Sequence, residues 1–328
     1  MLTVPPIAWI GFGLFFLVML ALDLGVFHRR SHVVTMREAL AWTATWVSLA
    51  LLFGAGLWTF AGHDRGIEFL TGYLLELSLS ADNVFVIAML FTYFAVPQAY
   101  QHKVLLWGVI GAVVMRFVMI LAGTALVAKA AWVLYLFGGL LIVAGVKMIA
   151  NKVEEVHPES NPLVKLFRRL MPVTKDFRGD RFFVKEGARW FATPLFITVL
   201  CVEAADLVFA IDSIPAIFSV TLDPFIVFTS NVFAILGLRS LYFLLAKAVH
   251  SFRWLKPALG VVLAFAGVKM LLAHTPWKVD NVAALVFVAA TLAAGVIASL
   301  AGKPGSTQAP EEARGGVVAE RPNCAPRA

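Results

Sequence analysis

The sequence is poor in charge. Of its 328 residues only 14% are Asp, Glu, Lys or Arg, whereas 60% are hydrophobic and the mean hydropathy is +0.85. Soluble domains carry about 25% charged residues, so an ordinary soluble domain is excluded. Cysteine is almost absent. Cys201 lies in an apolar run and Cys324 in a polar tail, which gives neither a disulfide framework nor a thiolate metal site. The histidines, His28, His32, His63, His102, His157, His250 and His274, fall at the ends of apolar runs or between them. No basic segment precedes the first run. Ile7–Phe27 is too long for the apolar core of a signal peptide, and Arg29 and Arg30 follow it, so it reads as a retained span. Nor is there a nucleophile–base pair or a cofactor loop, and the expectation is a protein that is not an enzyme and holds no cofactor.

What remains is apolar residues in blocks of about 20, long enough to cross a hydrocarbon core of roughly 30 Å. Unalternating runs of this kind predict helices rather than a barrel, because a helix satisfies its own backbone in lipid. Nine spans are expected, at about 6–27, 39–60, 67–95, 104–128, 131–150, 192–220, 225–247, 257–274 and 279–301. The net charge of +7 does not point to nucleic acid, because the basic residues gather in alternate connections: 16 Lys/Arg on one side against Arg65, Lys129 and Lys278 on the other. The positive-inside rule then puts the amino terminus outside and the carboxyl terminus in the cytoplasm of a multi-pass inner-membrane protein. The long connection 151–190, with nine basic and six acidic residues, reads as a cytoplasmic linker in which Leu163–Leu170 forms a short surface helix. The tail 302–328 is too polar to build a core and reads as disordered.

Inside the sixth span the composition changes. Glu203, Asp206 and Asp212 fall within ten residues, followed by Pro215. A carboxylate near the bilayer centre costs roughly 2.5–3.5 kcal/mol on insertion scales, so three require cations, protons or buried basic partners. A weaker copy, Glu76 to Ile87, carries Glu76, Ser80, Asp82 and Asn83. The two copies align. Ala81-Asp82 to Ile87 matches Ala205-Asp206 to Ile211, Arg116 matches Arg239, and Ala144 to Met148 recurs unchanged as Ala266 to Met270. The offset drifts only from 124 to 122. Each copy holds three spans, an odd number, so the second must run in the opposite sense. The fold class expected is therefore an all-α polytopic membrane protein of about nine helices around two inverted three-helix repeats. Its parts are two leading helices (1–66), the first repeat (67–150), the linker (151–190), the second repeat (191–274), a last helix (275–301) and the tail (302–328).

Equivalent positions place Asp82 opposite Asp206 near mid-membrane. Glu203 and Asp206, at i and i+3, share a helix face. Asp212 turns about 120° away from Asp206 in a straight helix, unless Pro215 opens a turn and swings it back. The donors are all oxygens, with Ser78, Ser80, Ser213 and Asn231 in reserve, and such sets suit Mn²⁺, Mg²⁺ or Ca²⁺. Against that stands a structural reading in which Arg116 and Arg239 are counter-charges for the aspartates. Lys147 and Lys269 read as snorkelling side chains. Gly138, Gly139, Gly145 and Gly267 read as close-packing positions, and the Phe and Trp residues as lipid-facing or interfacial.

The stretches Leu77 to Asn83, Asp206 to Ala216 and Thr229 to Phe243 resemble the TerC/Alx family of integral membrane proteins, over roughly Ile67 to Leu272. Ala205 departs from it, since many relatives carry Thr before this Asp. The resemblance implies a role in manganese efflux, alkaline-pH response or tellurium resistance, with Glu76, Asp82, Asn83, Glu203, Asp206 and Asp212 lining a metal path. The expectation is a divalent-cation exporter, with Mn²⁺ as substrate, working by alternating access and coupled to protons. Its partners are the lipid bilayer and the metal ion, with no nucleic acid and the oligomeric state open. The alternatives are a membrane scaffold or insertion partner, a Ca²⁺ exchanger or a tellurium-resistance factor.

Overall fold

The computed structural model describes residues 5–27, 35–150, 171–174, 176–187, 189–245, 254–273 and 275–301. The expected surface helix at Leu163–Leu170 and the tail lie outside these residues. Nine helices are present among them: α1 (Pro6–Phe27), α2 (Met36–Ala61), α3 (His63–Tyr93), α4 (Gln98–Lys129), α5 (Val133–Ala150), α6 (Pro194–Phe218), α7 (Pro224–Leu245), α8 (Leu255–Leu272) and α9 (Asn281–Ala301). Eight are long and apolar enough to cross a membrane, and α1 contributes a shorter apolar stretch, Pro6–Leu22. The chain is an all-α polytopic membrane protein.

Local chemistry sets the helix ends. Thr35 and Glu38 form a reciprocal capping box that satisfies backbone N–H groups at the start of α2. Gly62 turns the chain from α2 into α3 at φ 107°, a conformation that a side chain would strain. Pro194 opens α6, where a missing N–H costs nothing.

The linker is not wholly irregular. β1 (Phe183–Glu186) and β2 (Arg189–Ala192) pair as an antiparallel hairpin, with Phe183 opposite Ala192 and Lys185 opposite Trp190. Its base is fastened by Thr193 N–H donating to the Phe182 carbonyl at 2.9 Å and by Ala192 N–H donating to that of Pro172 at 3.0 Å.

The helices pack where glycine lets backbones approach. A Cβ on Gly138 would lie 3.0 Å from the Gly267 carbonyl oxygen, and one on Gly145 only 2.5 Å from that of Gly260. The two contacts pair early α5 with late α8 and late α5 with early α8, so the helices are antiparallel. They also exchange with each other under the offset of 122, which carries Gly138 to Gly260 and Gly145 to Gly267. Gly139 is different, since a Cβ there would meet nothing within 4 Å, so this glycine does not serve close packing.

The aromatic residues also depart from expectation. Phe12, Trp46, Phe69 and Phe233 are buried in one cluster between α1, α2, α3 and α7, with Phe53 bridging Phe12, Phe69 and Phe233. Lipid does not reach these rings. Phe60, Trp132 and Trp277 remain exposed.

Candidate functional site

Helices α3, α4, α6 and α7 enclose the polar centre. Arg116 of α4 is fully buried, as is Glu76 of α3, and Asp206 of α6 nearly so. The guanidinium donates from Nε to Asp206 Oδ2 at 3.2 Å and from Nη2 to Asp206 Oδ1 at 3.1 Å, a two-point grip on one carboxylate. Its remaining nitrogen, Nη1, donates to Glu76 Oε1 and to Ser213 Oγ, the latter at 3.1 Å. Asn83 Nδ2 donates to Asp206 Oδ1 at 3.3 Å. With both acids ionised, one positive charge faces two negative ones. A buried ion pair of this kind is held together by geometry, because desolvation otherwise offsets the Coulomb attraction.

Beside the network lies a small cavity of about 20 Å³, lined by Asn83, Ile87, Gly108, Ala112, Asp206 and Ile235, among others. It extends along α3 from Asn83 to Ile87 and along α4 from Ala112 back to Leu105. That is the end of the bundle where the hairpin docks, since Lys103 at the start of α4 donates to Asp180. Arg116 is one turn beyond Ala112, on the far side of the cavity.

Three buried side chains near this centre hold polar atoms with no partner among the described residues: Ser80 Oγ, Asn83 Oδ1, and both amide atoms of Asn231. Ser80 lies on α3 between Glu76 and Asn83 on one face, and Asn231 is one turn from the cavity-lining Ile235. Buried polar groups are almost always satisfied, so each of these atoms calls for water or a ligand. The neighbouring Ser78 and Ser230 are spoken for, donating within their own helices to the Leu74 carbonyl at 2.6 Å and the Ile226 carbonyl at 2.8 Å.

Glu76, Asn83, Asp206, Arg116 and Ser213 are thus brought together. The side chains of Asp82 and Arg239 lie outside the described residues, and the group seen against Asp206 from α3 is Asn83. Glu203 is half-buried over Gly111 of α4, where any Cβ would collide with its carboxylate. Asp212 is half-buried on the other flank of α6, beside the exposed Val208 and Ile211. The expected opening at Pro215 does not occur. α6 runs unbroken to Phe218: Pro215 cannot donate to the Ile211 carbonyl, yet the turn that holds Asp212 stays helical. Asp212 therefore stays where a straight helix puts it. Among the described residues no three His, Cys, Asp or Glu side chains converge as a metal cluster.

Lys269 is a further correction. It does not snorkel: it is buried, and Nζ donates to Asn281 Oδ1 at 2.7 Å, where α9 begins against the end of α8. Lys147, its counterpart in the repeat, is exposed. Sequence reasoning also passed over Gly111, whose lack of a side chain makes room for Glu203. Its spacing from Gly108, on a helix lined by small residues, was the available signal.

A buried arginine–carboxylate network beside a cavity, inside a bundle of membrane-crossing helices, defines a polytopic membrane protein with a polar intramembrane site. The chain belongs to the integral membrane protein TerC family, whose sequence profile it matches over residues 61–306. It is 52% identical over 295 residues to a Myxococcus xanthus protein named "Uncharacterized membrane protein STKORF319", covering 90% of this chain and 92% of the relative. It is 47% identical over 287 residues to the Escherichia coli K12 protein named "Putative membrane-bound redox modulator Alx", covering 84% and 89%. The Photorhabdus laumondii protein of the same name is 48% identical over 276 residues, covering 81% and 86%. No solved structure matches the chain.

Proposed function

We propose that the protein exports a divalent cation, with Mn²⁺ as the substrate, by alternating access around Asp206. The observation that carries this reading is a buried carboxylate that borders a cavity and is held by Arg116 and Asn83. Family membership supports a membrane role, and the oxygen donors, Asp206 and Asn83 on the cavity wall with Ser80 one turn from Asn83 and Asn231 one turn from Ile235, suit a hard cation.

In this reading Arg116 is a tethered cation. Both Asp206 oxygens are engaged by it, so an incoming ion competes with the guanidinium for this carboxylate. Arg116 then keeps Glu76 and Ser213, and the carboxylate is paired at every stage. Protons bound and released by the surplus acids, including Glu203 and Asp212, would couple flux to a pH gradient. The α5–α8 glycine contacts that exchange under the 122 offset, and their antiparallel sense, support two inverted repeats rocking about a shared axis. With the linker in the cytoplasm of an inner-membrane protein, the cavity faces the cytoplasm, the loading side for an exporter.

The test is Mn²⁺ flux into liposomes carrying the purified protein, with and without an imposed proton gradient. Flux above that of protein-free liposomes is expected, faster with the gradient. Flux indifferent to the gradient removes the proton coupling. Absence of flux by folded protein removes the transporter and favours a scaffold acting through the linker.

A further inference from the structure

The hairpin β1–β2 presents a surface that neither the fold nor the transport reading uses. β2 ends at Ala192 and the membrane-crossing helix α6 begins at Pro194, so the hairpin is held at the membrane–water boundary by a single connecting residue, Thr193. Side chains alternate along a strand. By the pairing register, Phe183, Lys185 and Trp190 therefore share one face, while Glu186 and Arg189 share the other. The Phe183 ring lies 4.5 Å from that of Phe196 in the first turn of α6, which turns this face towards the side where the helix enters lipid. Trp190 is nevertheless 57% exposed and Phe183 40%. Trp107 of α4, next to Phe182 at 6.1 Å, adds a third exposed ring at 48%.

The charges are unevenly committed. Asp180 is held by Lys103 at 2.9 Å and Glu186 by Arg178 at 2.9 Å. Lys185 projects from the aromatic face opposite Trp190, Arg189 lies at the turn on the other face, Arg181 precedes β1, and none of the three is within ion-pair distance of a carboxylate among the described residues. Asp176 is the remaining exposed acid of the segment. Amphipathic rings at headgroup level with uncommitted cations beside them complement an anionic membrane surface.

We infer that the hairpin is a lipid-binding foot: Trp190 and Phe183 enter the headgroup layer, and Lys185, Arg181 and Arg189 bind anionic phospholipid. The occupant is the bilayer in which the protein itself resides. The inference does not rest on ion transport, and its readout is independent of flux.

The test uses full-length protein in nanodiscs and takes the Trp190 emission as the difference between wild type and Trp190→Phe. Brominated phosphatidylglycerol is expected to quench it about two-fold or more over brominated phosphatidylcholine at equal mole fraction, as lipid enriched by basic residues requires. Lys185→Glu combined with Arg189→Glu should erase that preference while quenching by phosphatidylcholine persists. Equal quenching of wild type by both lipids overturns the anionic preference. A preference that survives the double variant overturns the role of these cations. Quenching by aqueous iodide and by neither lipid overturns the foot altogether.

Discussion

Arg116 and Asp206 meet edge to edge across α4 and α6, 90 positions apart, with two hydrogen bonds of 3.2 and 3.1 Å between one guanidinium and one carboxylate. Lysine has no such fork, so the pair is specific to arginine. Everything else at the polar centre is arranged around it. Glu76 and Ser213 take the remaining nitrogen, Asn83 steadies the carboxylate, and the cavity begins at Asp206.

Arg116→Gln would leave two acids buried without a cation. Breaking a buried pair from one side costs about 3–5 kcal/mol, so the thermal midpoint of the purified variant should fall well below that of the wild type. Adding Glu76→Gln to Arg116→Gln removes one stranded charge and should recover part of the loss. A recovery of nothing would show that Glu76 does not share the arginine.

Asp206 and Asp212 should behave differently. Asp206 borders the cavity, whereas Asp212 turns towards the exposed flank of α6. Asp206→Asn is expected to abolish Mn²⁺ flux, and Asp212→Asn to retain flux with an altered pH dependence. Measured together in liposomes, equal loss in both would return Asp212 to the ion site.

Asn231→Leu separates ligand from structural glue. The amide has no partner among the described residues, so an apolar side chain of similar volume should leave stability unchanged or raise it. Flux should drop if the amide meets the ion. A stable variant with full flux would remove Asn231 from the path.

Gly145 and Gly139 form a matched pair for packing. Gly145→Ala drives a methyl into the Gly260 carbonyl, and overpacking of this kind costs about 1–3 kcal/mol. Gly139→Ala meets open space and should change the thermal midpoint little.

At the membrane surface, Lys103 holds the Asp180 carboxyl below its usual range, chiefly by their hydrogen bond. A carboxylate lowered in the folded state stabilises the fold above its unfolded pKa, and that contribution is lost as pH falls through the folded value. Asp180 is largely exposed, so Asp180→Asn should cost no more than about 1 kcal/mol at neutral pH, with the difference from wild type vanishing in acid.

Much of this was legible in the residues. Unbroken apolar blocks declare the spans, since nothing else tolerates such runs, and intramembrane charge declares the polar centre. What was not legible depends on partners far apart in sequence. Glu76 and Arg116 are separated by 40 positions, and the repeat drew the eye to the aspartates instead. Lys269 looked like a snorkelling side chain until Asn281 folded over it. Pro215 was read as a place where the helix opens, yet the turn before it, which holds Asp212, stays helical. The hairpin hid in a charged segment, although Phe183 to Glu186 and Arg189 to Ala192 around Gly187, at φ 62°, carry the pattern of two short strands and a turn.

The central claim is that Asp206 is where the substrate binds, and Mn²⁺ flux through wild type and Asp206→Asn in liposomes tests it most directly. Asp206→Asn keeps the volume of the side chain, and Arg116 keeps Glu76, so the variant should remain folded, as its thermal midpoint will show. Flux by the wild type and none by the folded variant is the predicted result. Equal flux by both would contradict the account, and the ion path would have to be sought away from Arg116.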